Sequence, residues 1–79
     1  MTPWLYVDGF PAAVTRDQLH EVFARVGNVK RALIVQGSRG RVGFVEMASD
    51  AEAKQAVRAL SGIEVLGQPL RVIRVGHRK

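Results

Sequence analysis

This chain reads as an α+β sandwich, one four-stranded antiparallel sheet with two helices on one face. Three observations predict it. The hydrophobic period switches between two and 3.6 along the chain, giving the order β-α-β-β-α-β. Two helix-start signals, Thr15 with Gln18 and Ser49 with Glu52, each stand ahead of an apolar helical face. Finally, 79 residues without a linker, an internal repeat or a low-complexity segment make one domain, 1–79, whose core is thin and must pack efficiently.

The elements follow in order. Residues 4–7, "WLYV", are β-prone, and Pro3 limits extension of that strand backwards. "DGFPAAV" turns and loops. "TRDQLHEVFARVG" is a helix with Leu19, Val22, Phe23 and Val26 on one face, and Gly27 fits the position just past its end. Residues 29–36 form a second strand, 37–41 a glycine-rich connection, and 42–47 a third strand paired with the second as a hairpin. "SDAEAKQAVRALSG" is the second helix, with Ala53, Ala56, Val57 and Leu60 inward and Gly62 ending it. Residues 63–69 are a short irregular or hairpin-like link, 70–75 the last strand, and 76–79 a polar basic tail. Right-handed crossovers place both helices on the same side of the sheet, the ferredoxin-like arrangement.

One face of such a sheet is covered and the other is open, so the period of two assigns every strand residue to one of them. In the third strand Glu46 cannot face an apolar core unpaired, so Val42 and Phe44 share the open face with it, while Gly43, Val45 and Met47 turn inward. Asp8 places Tyr6 and Trp4 outside, and Leu5 and Val7 inside. Ala32 and Ile34 suit the core, leaving Arg31, Leu33 and Val35 outside. Leu70 and Val72 suit the core, leaving Arg71 and Ile73 outside. Two or three rings among aliphatic residues, with arginines at the edges, would be unfavourable in water unless something covers them. Single-stranded nucleic acid fits, because bases stack on rings and phosphates follow cations.

Charge agrees. Twelve Lys+Arg against seven Asp+Glu leave +5, and nine of the twelve are Arg, the better partner for phosphate and for flat aromatic surfaces. The helices balance: Arg16, Arg25, Lys54 and Arg58 stand against Asp17, Glu21, Asp50 and Glu52. The excess lies on the strands, the connection and the tail, in Lys30, Arg31, Arg39, Arg41, Arg71, Arg74, Arg78 and Lys79 against Asp8, Glu46 and Glu64.

The sequence "GRVGFVEM", residues 40–47, with "LYVDGF", residues 5–10, resembles the two signature stretches of the RNA recognition motif family, and the element order matches over essentially the full length. The resemblance implies that Tyr6 and Phe44 are the main stacking platforms. Three positions depart from the family pattern. Gly40 stands where a basic residue would meet phosphate, with Arg39 and Arg41 as neighbours. Val42 replaces a third ring, and Met47 replaces a core aromatic.

The expected function is therefore a single-stranded RNA-binding module, with single-stranded DNA as a variant of the same chemistry. Tyr6 and Phe44 stack bases, Val42 and Ile73 lie between them, and Trp4 either extends the platform or packs against the tail. Arg31, Arg39, Arg41, Arg71, Arg74 and Arg78 meet phosphates, while Glu46 and Asp8 accept hydrogen bonds from base edges or restrict which base fits. The alternative is an RNA-recognition-like module that binds a protein through the open face or the helices. An enzyme has little support, because no nucleophile with a histidine and an acid, no Cys pair and no clustered carboxylates are present. No cofactor is expected, and His20 and His77 stand too far apart without partners for a metal. No cysteine, no basic-then-apolar leader and no apolar run near about 18 residues point to a monomer inside the cell, cytoplasmic or nuclear, with no membrane partner.

Overall fold

A computed structural model describes residues 3–38 and 40–75 of the chain. The expectations placed on Arg39, Arg78 and the tail 76–79 lie outside the described residues. Strand β1 spans Trp4–Asp8, helix α1 Arg16–Ala24, β2 Val29–Gly37, β3 Gly40–Met47 and helix α2 Asp50–Leu60. A small hairpin, β4 Glu64–Val65 and β5 Gln68–Pro69, leads into β6, Arg71–Arg74. The main sheet is antiparallel in the order β2-β3-β1-β6, and β4 and β5 pair separately.

The core is the inward set that the alternation predicts. Leu5, Val7, Ala32, Val45, Met47, Leu70 and Val72 from the strands meet Leu19 and Phe23 of α1 and Ala53, Ala56 and Leu60 of α2. Val22, Val26, Ile34 and Val57 pack against its margin. The loop after β1 adds Phe10 and Val14, which are buried although their segment reads as a plain turn. No polar or charged residue is buried among the described residues. Gly43 is needed for close approach: a Cβ there would stand 2.7 Å from Leu19 Cδ2 and 3.4 Å from Phe10 Cε2. Among the described residues no helix is long and apolar enough to cross a membrane.

The two helix starts differ in detail. At α1 the capping box is complete: Gln18 N–H donates to Thr15 Oγ1 at 3.2 Å, and Thr15 N–H donates to Gln18 Oε1 at 3.0 Å. At α2 only half forms. Glu52 N–H donates to Ser49 Oγ at 3.1 Å, but Glu52 Oε2 accepts from Asn28 N–H at 2.8 Å instead of closing the box. That bond ties the α1–β2 connection to the start of α2. It holds the Glu52 carboxyl below its usual range, with the Ser49 hydroxyl adding to the effect.

Two expectations are corrected here. Gly27 is not the residue just past α1, since Arg25 caps the helix; Gly27 instead lies where a Cβ would come 3.2 Å from Glu52 Cβ and 3.1 Å from Met47 Cε. The connection 37–41 is shorter than it reads. Gly37 pairs directly with Gly40, leaving two residues in the turn, because both glycines continue the ladder. The link 63–69 takes the hairpin form of its two expected alternatives, and its turn has positive φ at both central residues, Leu66 (51°) and Gly67 (85°). That is the pattern of a type I′ turn, in which the first position normally favours Asn or Asp. Gly62, with φ of 89°, follows α2 as expected.

Candidate nucleic-acid interface

Strand pairing turns the open face into rows. Leu33 lies opposite Phe44, Phe44 opposite Tyr6, and Tyr6 opposite Ile73, so one row crosses all four strands as aliphatic, ring, ring, aliphatic. The two rings meet edge to face, with centroids 5.8 Å apart and planes at 73°. Both are half-buried, whereas Leu33 and Ile73 at the sheet edges are 43% and 45% exposed. A second row runs Arg31, Glu46, Trp4. On the other side of the rings Val35 pairs with Val42, and Asp8 with Arg71. Tyr6, Phe44, Val42, Trp4, Ile73, Glu46, Arg31 and Arg71 are thus brought to one face.

The cations on this face are not equivalent. Arg71 Nε and Nη2 donate to the two oxygens of Asp8 at 3.1 and 3.0 Å, a bidentate pair. The Asp8 hydrogen bonds, then its charge, hold the guanidinium more firmly protonated than usual, and the Tyr6 hydroxyl adds a smaller effect. Arg31 Nε lies 3.7 Å from Glu46 Oε1, an ion pair without a hydrogen bond, and its side chain is 70% exposed.

Two predicted phosphate contacts stand elsewhere. Arg41 shares the inward parity of Gly43, and its Nη1 donates to the Ala12 carbonyl in the β1–α1 loop, which places it at the rim. That partner is neutral, so the arginine's charge is uncompensated by it. Arg74 lies opposite Leu5, hence on the helix side, where it pairs with Asp50 of α2. It is not on the platform. The signal was in the sequence, because Arg74 has the same parity as Leu70 and Val72.

Beside the rings the surface sinks into a groove of about 760 Å³, lined among others by Tyr6, Asp8, Val42, Gln36, Gln68 and Arg71. Sequence reading missed Gln36 and Gln68, which are brought there by the tips of the β2–β3 and β4–β5 hairpins. No group of His, Cys, Asp and Glu that could hold a metal occurs among the described residues.

A sheet with one face covered by helices and the other displaying paired rings defines a surface-binding module rather than an enclosed active site. The chain belongs to the RNA recognition motif family, whose pattern matches residues 5–71. It is 44% identical over 79 residues to RbpB of Nostoc sp., named as a candidate RNA-binding protein, covering 95% of this chain and 77% of that one. It is 41% identical over 73 residues to a 33 kDa chloroplast ribonucleoprotein of Nicotiana sylvestris, covering 86% of this chain and 22% of that one. Its fold superposes on the Sex-lethal RNA recognition domains 1 and 2 of Drosophila melanogaster with a TM-score of 0.85 at 24% identity, over 98% of this chain and 51% of that one.

Proposed function

We propose that this chain binds single-stranded RNA across the open face of its sheet, with bases stacked on Tyr6 and Phe44. The observation that carries the reading is the row Leu33, Phe44, Tyr6, Ile73, an apolar strip across all four strands with two central rings. Family membership and the names of the relatives support it. Phosphate contacts fall to Arg31, which is exposed and not hydrogen-bonded to its ion-pair partner Glu46, and to Arg41 at the rim, joined by Arg39 and Arg78 outside the described residues. Val42 lies beside the rings, and Trp4 extends the face along β1. The module is a binder and not an enzyme.

A protein partner is the second reading, favoured by the exposed Leu33, Val35 and Ile73 around the rings. Salt separates the two, since RNA affinity falls as salt rises while an apolar protein contact hardly changes. The test is titration of a fluorescent pool of short single-stranded RNAs with wild type and a folded Tyr6→Ala/Phe44→Ala variant. The variant should lose about 2–4 kcal/mol, two stacked bases' worth, or roughly 30- to 1000-fold in affinity. Equal binding by both proteins would refute the stacking role. A DNA pool of the same sequences, run alongside, reads the preference for the 2′-hydroxyl.

A further inference from the structure

A guanidinium has five N–H donors, and in Arg71 the side-on pair, Nε and Nη2, is committed to Asp8. The end-on fork, one N–H from each terminal nitrogen, has no carboxylate partner among the described residues and lies beside the Tyr6 hydroxyl. Arg71 is 65% exposed at its side chain while Asp8 is only 23% exposed, so the pair turns its donor end outward. It stands next to Tyr6 on the platform, at the mouth of the groove that Tyr6, Gln36 and Gln68 also line. Two properties follow. The pair is neutral as a unit, so it adds little to the long-range attraction for a phosphate chain. Its free end is rigid and carries donors only, so it suits a flat ligand edge with two neighbouring acceptors.

We propose that Arg71, held in place by Asp8, reads the edge of the base stacked on Tyr6 and selects guanine there. Guanine offers adjacent O6 and N7 acceptors, which a guanidinium fork meets with two hydrogen bonds. Adenine puts an amino donor beside its N7 and opposes one of the two N–H groups. Uracil offers no such adjacent pair on any edge, and cytosine offers one, O2 with N3, only on its Watson–Crick edge and not on the edge that N7 marks in guanine. Single-stranded RNA leaves this edge accessible. Arg71 is thus a specificity residue and Asp8 a positioning residue, which acts only through the orientation of Arg71.

The inference rests on the proposed stacking role of Tyr6, and its test distinguishes failure of one from failure of the other. The probes are uridine octamers carrying one central guanosine, adenosine or 7-deazaguanosine, titrated at two salt concentrations. Wild type should favour the guanosine octamer over the adenosine octamer by about tenfold, the order of one bidentate base contact. The 7-deaza octamer, which lacks the N7 acceptor, should lose most of that gain. Arg71→Lys keeps the charge but loses the fork, and should erase the preference while leaving affinity for the adenosine octamer within about twofold. The charge-neutral pair Asp8→Asn/Arg71→Gln should also erase the preference and leave the salt slope unchanged. A uniform loss across all octamers in that double variant, with the slope falling by about 0.7, would make Arg71 a phosphate contact and overturn the proposal. Wild type without a guanosine preference overturns it as well. If the Tyr6→Ala/Phe44→Ala variant still loses binding in that case, the platform reading stands and only the base-reading role of Arg71 falls.

Discussion

Gly43 and Phe44 are adjacent in sequence and lie on opposite faces of one strand, so substitutions at the two positions should separate stability from binding. In Gly43→Ala the new Cβ would sit 2.7 Å from Leu19 Cδ2, about 1 Å inside ordinary contact, with Phe10 Cε2 at 3.4 Å on another side. Leu19 is 1% exposed and Phe10 7%, so neither has open space to retreat into. Overpacking of this kind costs typically about 1–3 kcal/mol. Removing a glycine from a strand interior returns roughly 0.5–1 kcal/mol through the unfolded chain. The net spans roughly 0–2.5 kcal/mol of destabilisation, centred a little above 1, which lowers the melting temperature of a domain this size by roughly 5–10 °C at the centre of that range. Calorimetry or a thermal melt by circular dichroism reads the first quantity. RNA titration well below the melting transition reads the second and should show wild-type affinity, because the open face is unchanged. Phe44→Leu should do the reverse, with a weaker complex and a small change in melting temperature. A Gly43→Ala protein that melts above wild type would refute the close approach of α1 to β3. One that melts normally but binds RNA poorly would refute the assignment of faces.

Glu52 and Leu66 supply two more predictions. Because the Glu52 carboxyl is held below its ordinary value of 4.5 by Asn28 N–H and the Ser49 hydroxyl, the folded state binds fewer protons there than the unfolded chain does. Its contribution is therefore present above about pH 4.5 and is lost as pH falls through the lowered folded value. Glu52→Gln should be less stable than wild type at neutral pH, with the difference shrinking as pH falls below about 4.5 in denaturant melts; a pH-independent difference would refute the linkage. Leu66→Asn places the favoured residue at the positive-φ position of the β4–β5 turn and should raise stability by up to about 1 kcal/mol, read as a melting temperature higher by several degrees. A lower melting temperature would show that the exposed Leu66 side chain contributes more than its backbone costs.

The faces of the sheet were legible in the sequence because two carboxylates, Asp8 and Glu46, sit in strands that otherwise look apolar on both sides. Each fixed the orientation of its whole strand, and Tyr6, Phe44 and Val42 followed. The helices were legible from their caps and their 3.6 spacing. What could not be read were the partners of the arginines. Asp8 and Arg71 are 63 positions apart, and their pairing depends on the register between β1 and β6, which no local pattern sets. Arg41 reaches a backbone carbonyl, which leaves no trace in side-chain composition. Arg74 was readable from its parity but was obscured by its place among other basic residues. The segment from Gly37 to Gly40 misled for a different reason: glycines usually mark the end of a strand, and here two of them face each other within the ladder.

The shortness of that hairpin has a kinetic consequence. With Gly37 paired to Gly40, the ladder of β2 and β3 runs to the sheet margin. Under the proposed function, a strand lying across Tyr6 and Phe44 would be touched from below by the sheet. Among the described residues the β2–β3 ladder sets no barrier across the rings, so such a strand would be laid down sideways at an internal point of a long molecule, without a free end to thread, and lifted off the same way. On that reading, copies of the module would occupy neighbouring stretches of one long strand independently.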